Sequence, residues 1–167
     1  AIKEKAPIEL IVVTSNRLED YQNLLAQTDV QVLVVSQDVF HKLSMTETTQ
    51  GILAVVKIVK QDSLPHSGRF IVLDAVQDPG NLGTIVRTAD AAGFDAVVLG
   101  TGTVDLYNDK VLRSMQGSHF HIQVFQADLK GYLPMLKDKG VQVAVTALHR
   151  DSKDYTILQE ATDVAIV

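Results

Sequence analysis

The 167-residue sequence contains no cysteine. That absence excludes a disulfide framework, a thiolate zinc site and a cysteine nucleophile, and it suits a reducing, cytoplasmic compartment. Long apolar runs are missing too: the longest, such as IELIVV and AVVLG, are strand-sized and far short of a membrane span. No basic segment followed by an apolar stretch opens the chain, so no signal peptide is expected. An excess of positive charge is also lacking. The formal net charge of −5 argues against a general nucleic-acid binder, which is usually basic. Neither the G-x-G-x-x-G nor the G-K-[ST] phosphate fingerprint occurs, which counts against a Rossmann-type nucleotide module. Internal repeats and low-complexity segments are absent.

What is present is an ordinary globular composition, 46% apolar and 21% charged, with its charges unevenly placed. Acidic residues such as Glu19, Asp20 and Glu47 are spread over the first half. Arg87, Lys110, Arg113, His119, His121, His149, Arg150 and Lys153 recur in the second, so a local basic face on an acidic protein stays open.

The first third alternates in type. IELIVVT, VQVLVVS and QGILAVVKIV read as strands. NRLEDYQNLLAQ carries Leu18, Tyr21, Leu24 and Leu25 at helical spacing, and QDVFHKLS reads as a short helix. Asn16 with Glu19 three residues on has the form of a capping box. Polar KQDSLPHSGR then breaks the pattern with one Pro and one Gly and serves as a linker. The predicted organisation is a small α/β domain over residues 1–60, a linker over 61–69 and a larger domain over 70–167. In the larger domain, RFIVLDAV, DAVVLG, HIQVF, VQVAVTAL and DVAIV are short strands rich in Val, Ile and Ala, separated by helices. That order predicts an α/β parallel sheet covered on both faces. Pro134 ends, kinks or opens its helix.

QDPGNLGTIVRTADAAG, residues 77–93, joins two of these strands. Pro79-Gly80 makes a turn, Asn81 caps a helix, Ile85 and Val86 face the sheet, and Gly93 ends the helix in the left-handed conformation. Within that helix Arg87 reads as buried and in need of a carboxylate or phosphate; Asp90 at i+3 is the ordinary partner. A helix start after a parallel strand also offers free N–H groups to an anion, so a structural and a ligand-holding reading both stand. LGTGTVD is a weak loop signal. Lys110 and Arg113 lie one turn apart on one face, either simply solvated or gripping phosphate. The His119-x-His121 pair belongs to a strand whose histidines point outward; a metal needs a third ligand that is not evident, so no metal is expected. No Ser-His-Asp grouping is assignable.

Together, DAVQDPGNLGTIVRTADAAGFDAVVLG and DLYNDKVLRSMQGSHFHIQVF resemble the first signature region of the SpoU (TrmH) family. These are S-adenosyl-L-methionine-dependent RNA ribose 2′-O-methyltransferases of the SPOUT class. The resemblance covers residues 70–167, and the first third is similar to the ribosomal-protein-like domain that binds RNA substrate in rRNA-modifying members. It implies a trefoil-knot fold, S-adenosyl-L-methionine as cofactor, a homodimer, and rRNA (23S) rather than tRNA as substrate. It also implies catalytic roles for Asn81 and Arg87, RNA phosphate contacts for Lys110, Arg113 and Ser114, and a cofactor border at Thr146, Ala147 and Leu148. The family's later signatures, a Gly-Asn-Glu-Gly loop and a segment ending in Ser-Leu-Asn, are expected beyond DVAIV, so the chain reads as truncated at both ends and lacking the knot-forming segment. The competing reading is a non-catalytic RNA-binding protein of the same architecture.

Overall fold

In the computed structural model, residues 1–59, 63–150 and 152–167 are described. The chain forms two compact units, Ala1–Lys60 and Gln61–Val167.

The first unit is a three-stranded sheet in the order β2-β1-β3, with β1 over Ile8–Thr14, β2 over Val32–Val35 and β3 over Ile52–Val56. β1 runs parallel to β2 and antiparallel to β3, a direction that hydrophobic pattern alone does not encode. Ile11, Val12 and Val13 of the central strand are buried. The helix expected over NRLEDYQNLLAQ is broken into 3-10 turns at Ser15–Arg17 and Glu19–Tyr21 and a single turn α1, Gln22–Leu25. Asn16 therefore caps nothing and no capping box forms. A long-range tie competes with the helix here: the Tyr21 hydroxyl donates to the Gln50 carbonyl at 2.8 Å. α2, Gln37–Leu43, is capped by Ser36 and buries Phe40.

The second unit is a five-stranded parallel sheet, as the alternation predicts, in the order β6-β5-β4-β8-β7. Its strands are β4 (Arg69–Leu73), β5 (Ala96–Gly100), β6 (Gln123–Ala127), β7 (Gln142–Ala144) and β8 (Val164–Ile166). The helices are α3 (Pro79–Ala91), α4 (Asp109–Met115) and α5 (Leu129–Asp138). Period-two alternation divides the strand residues between two cores. Leu73, Val97 and Leu99 pack with Leu82 and Val86 of α3 and Val111 and Met115 of α4. Phe70, Val72, Ala96, Val98 and Phe125 pack with Tyr132 and Leu136 of α5. Helices thus cover both faces, which is why the strands read as nearly continuous apolar runs.

Pro134 sits inside α5. The last part of the expected linker belongs to this unit: Leu64 packs on the α5-side core, and the Tyr132 hydroxyl donates to the Pro65 carbonyl at 2.7 Å. Burial pushes that phenol up to about 12. Lys60, Gln61 and Asp62 of the linker lie outside the described residues. No helix among the described residues is long and apolar enough to cross a membrane.

Candidate functional site

In the sheet order, the connections from β4 run outward through β5 to β6, and the chain then crosses to the far edge at β7 and returns as β8. The connections therefore diverge between β4 and β8. In open α/β sheets the crevice outside the carboxyl ends of the strands at such a divergence is where ligands bind. Three expected groups of residues follow strands at that end.

The first group is in the β4–α3 turn. Ala75 adopts a positive φ of 53°, a conformation that costs energy for a residue with a Cβ. Neighbouring loops hold it there: Val104 N–H donates to the Val76 carbonyl at 2.9 Å. The helix cap is Asp78, not Asn81 as expected; its carboxylate accepts from Asn81 N–H at 2.8 Å. Asn81 is already in the first turn, and Pro79 takes the opening position, where its missing N–H is no loss. The Asp-Pro pair was the signal for this shift: Asp caps well, and Pro suits the residue after a cap. The Asn81 side chain is thus spared capping and lies exposed. At the other end, Gly93 has φ +72° and Phe94 N–H closes back on the Ala89 carbonyl, the expected left-handed stop.

Arg87 corrects the reading of a buried guanidinium. Leu82, Gly83, Val86 and Ala89 face inward, whereas Asn81, Thr84, Arg87 and Thr88 are exposed. Asn81 and Arg87 therefore share the open side of α3. Arg87 also fails to take Asp90, which instead meets His121 Nδ1 at 3.3 Å. No ion pair or side-chain hydrogen bond involves Arg87 among the described residues.

The second group is on α4, capped by Asn108, whose side chain accepts from Lys110 N–H. Lys110 and Arg113 are exposed, and Arg113 Nη1 pairs with Asp109 Oδ2 at 2.7 Å. The guanidinium holds the Asp109 carboxyl below the usual carboxylate range. Ser114 is half-buried against α3. A Cβ on Gly83 would lie 2.3 Å from the Ser114 Cβ and 2.9 Å from the Val111 carbonyl oxygen, so only glycine permits the crossing. The Asn81–Arg87 and Lys110–Ser114 groups are joined through that contact.

His119 and His121 are not on a strand. His119 lies in a 3-10 turn, Ser118–Phe120, and His121 ends it, with β6 starting at Gln123. The reason is the reversal after α4, where Gln116 and Gly117 both take positive φ. His119 Nδ1 is buried without a hydrogen-bond partner among the described residues, and burial above all pushes the ring's pKa down. No cluster of three metal-binding side chains occurs among the described residues.

The third group follows β7. Thr146 continues the ladder, its N–H and Oγ1 both donating to the Val167 carbonyl, at 2.7 and 2.9 Å. Ala147 and Leu148 are exposed in the loop beyond. Ser152 ties that loop: its hydroxyl donates to the Ala147 carbonyl and accepts from His149 N–H. Here a cleft of about 690 Å³ opens, lined by Val145–Leu148, Ser152–Tyr155, Ile157 and Leu158 among others. Val145, Leu148, Tyr155 and Ile157 are all exposed apolar residues. The sequence reading missed Ser152, Tyr155 and Ile157; the clustering of apolar residues in a segment too polar to be core was the available signal. The volume and the mostly apolar lining are in the range of small-molecule sites.

Residues 68–167 match the SpoU rRNA Methylase family, and residues 1–54 match the MRM3-like substrate binding domain. The chain belongs to the SpoU rRNA Methylase family. Among SpoU relatives, the 23S rRNA (guanosine(2553)-2'-O)-methyltransferase RlmP of Bacillus subtilis is 48% identical over 141 residues, covering 84% of this chain and 56% of that protein. The mitochondrial rRNA methyltransferase 3A of Danio rerio is 40% identical over 99 residues, covering 52% of this chain and 23% of its own length. An rRNA methyltransferase from Sinorhizobium meliloti superposes with a TM-score of 0.81 at 28% identity, over 99% of this chain and 64% of that one. The chain thus spans about half to two thirds of RlmP and the S. meliloti enzyme, and less of the fish protein.

Proposed function

We propose that this SpoU chain is part of an S-adenosyl-L-methionine-dependent RNA ribose 2′-O-methyltransferase acting on 23S rRNA in the cytoplasm as a homodimer. The observation that carries the reading is the family match over residues 68–167, which includes every candidate site residue, joined to the exposed, unpaired Arg87 on the open side of α3. The substrate class is supported by the relation to RlmP and by the match of residues 1–54 to a substrate-binding domain.

S-adenosyl-L-methionine supplies an electrophilic methyl group on a sulfonium, and Thr146, Ala147 and Leu148 with the lining of the β7 cleft are the residues that would hold it. The chain's own task is to present a ribose 2′-hydroxyl in line and to ease loss of its proton. A guanidinium is a poor base, because its pKa lies above about 12. Arg87 therefore acts by clamping the adjacent phosphate and stabilising charge that develops on the 2′ oxygen, with the proton passing to water. Asn81, its side chain free of capping, orients the sugar by hydrogen bonding. Lys110 and Arg113 hold flanking phosphates; Ser114, wedged at the α3 crossing, fixes their helix and presents its hydroxyl beside them. The local net charge matters less than these placed groups, because phosphate contacts set position and register.

The test is transfer of a labelled methyl group from S-adenosyl-L-methionine to unmodified 23S rRNA, with tRNA in parallel, using the full-length protein. Label in the 23S ribose is the expected result. Label in tRNA alone overturns the substrate, and no transfer to either RNA favours a binding protein without catalysis.

A further inference from the structure

Among the described residues, Arg and Asp three or four positions apart close into ion pairs at two other places. Arg17 meets Asp20 at 2.5 Å, and Arg113 meets Asp109 at 2.7 Å. Arg87 and Asp90 have the same order and spacing as Arg17 and Asp20, on a regular helix where such neighbours meet readily. They do not pair. Asp90 is turned to His121, which reaches it from the turn after α4. In that turn Gln116 and Gly117 reverse the chain, Ser118 is buried, and His121 N–H and Ile122 N–H both donate to the Ser118 carbonyl.

We infer that His121 is a positioning residue that draws Asp90 away from Arg87 and so keeps the guanidinium available for RNA phosphate. The inference rests on the proposed role of Arg87. An Arg87 paired with Asp90 would have its charge answered within the helix and its planar donor fork occupied. Substrate would then have to displace a carboxylate before binding. The contact with His121 that removes this competitor is itself solvent-accessible; the His121 and Asp90 side chains are 49% and 25% exposed. The arrangement differs from α4, where Asp109 is left in competition for Arg113, so the two cations are not equivalent toward RNA.

The experiment compares full-length His121→Ala, His121→Gln and the double variant His121→Ala/Asp90→Asn in methyl transfer to unmodified 23S rRNA. An exposed pair of this kind is worth a factor of about two to five. His121→Ala is expected to lose that factor in kcat/KM, His121→Gln to retain activity by donating to Asp90, and the double variant to recover it. A second readout needs no substrate: the rate of phenylglyoxal modification at Arg87, resolved by peptide mass spectrometry. It is expected to slow in His121→Ala and return in the double variant. Unchanged labelling and activity in His121→Ala overturns the inference, as does a loss that Asp90→Asn fails to restore. Arg87→Ala separates this from the underlying reading: full activity in that variant removes the role of Arg87 itself, whereas a large loss alongside a neutral His121→Ala removes only the positioning.

Discussion

The two halves of the five-stranded sheet are finished differently. On the β4–β5–β6 side, α3 and α4 interlock at Gly83, β5 is buried along its whole length, and each helix start is capped by its own Asx residue. On the β8–β7 side the strands are three residues long, and the loop beyond them exposes Val145, Leu148 and Tyr155 around a cleft. The contrast separates two physical tasks. A rigid side fixes the direction of charged groups, because helices locked by close packing transmit no slack to Asn81 and Arg87. An open apolar side leaves surface to be buried by something else, since large exposed patches in a folded protein mark binding.

The largest test of that division is Arg87→Lys. On the rigid side it should leave the fold intact and reduce methyl transfer about a hundredfold or more, because a point charge cannot replace the planar fork. Near-normal turnover would end the assignment. Next is the lock itself. Gly83→Ala gains helix propensity worth about 1 kcal/mol, yet its Cβ meets Ser114 and the α4 backbone. Overpacking should win, with a net loss of about 1–3 kcal/mol in urea unfolding, partly recovered by adding Ser114→Gly.

Smaller effects sharpen the picture. Asp78→Ala should cost about 1 kcal/mol of stability through the lost cap, whereas Asn81→Ala should cost almost none while impairing activity. Equal destabilisation by the two would restore Asn81 as the cap. On the open side, Leu148→Ser should change stability by less than about 0.5 kcal/mol and still weaken S-adenosyl-L-methionine binding by calorimetry. The smallest expected effect concerns pH. The folded protein holds His119 below the usual histidine value of 6.5, so the unfolded chain binds its proton first as pH falls. Stability from the neutral ring is complete above that value and is lost below it. His119→Phe should flatten the acid limb of a stability–pH curve below about pH 6.5.

How much of this was legible beforehand varies by element. The parallel sheet was, because strands covered on both faces must be apolar throughout, and Phe70, Val72, Val97 and Val98 spell that out. The α3 stop at Gly93 was equally readable, since a left-handed residue selects glycine. The first-unit helix was misread: leucine spacing in NRLEDYQNLLAQ favours a helix, but the Tyr21–Gln50 contact lies 29 residues away in sequence and overrides it. The histidines were placed on a strand because alternation cannot reveal the reversal at Gln116 and Gly117. The direction of β3 was not legible either, since its antiparallel pairing leaves no mark on composition.

By itself, then, the sequence determined the fold class of the second unit, the positions of its turns and caps to within a few residues, and the family signature. These follow from local chemistry: side-chain period, backbone freedom and capping hydrogen bonds act over a few neighbouring residues. Tertiary structure alone decided which side of α3 carries Arg87, that Asp90 turns to His121, that Gly83 locks two helices, and that a cleft opens beyond β7. Each of these depends on groups far apart in the chain meeting in space, and no local preference encodes such a meeting.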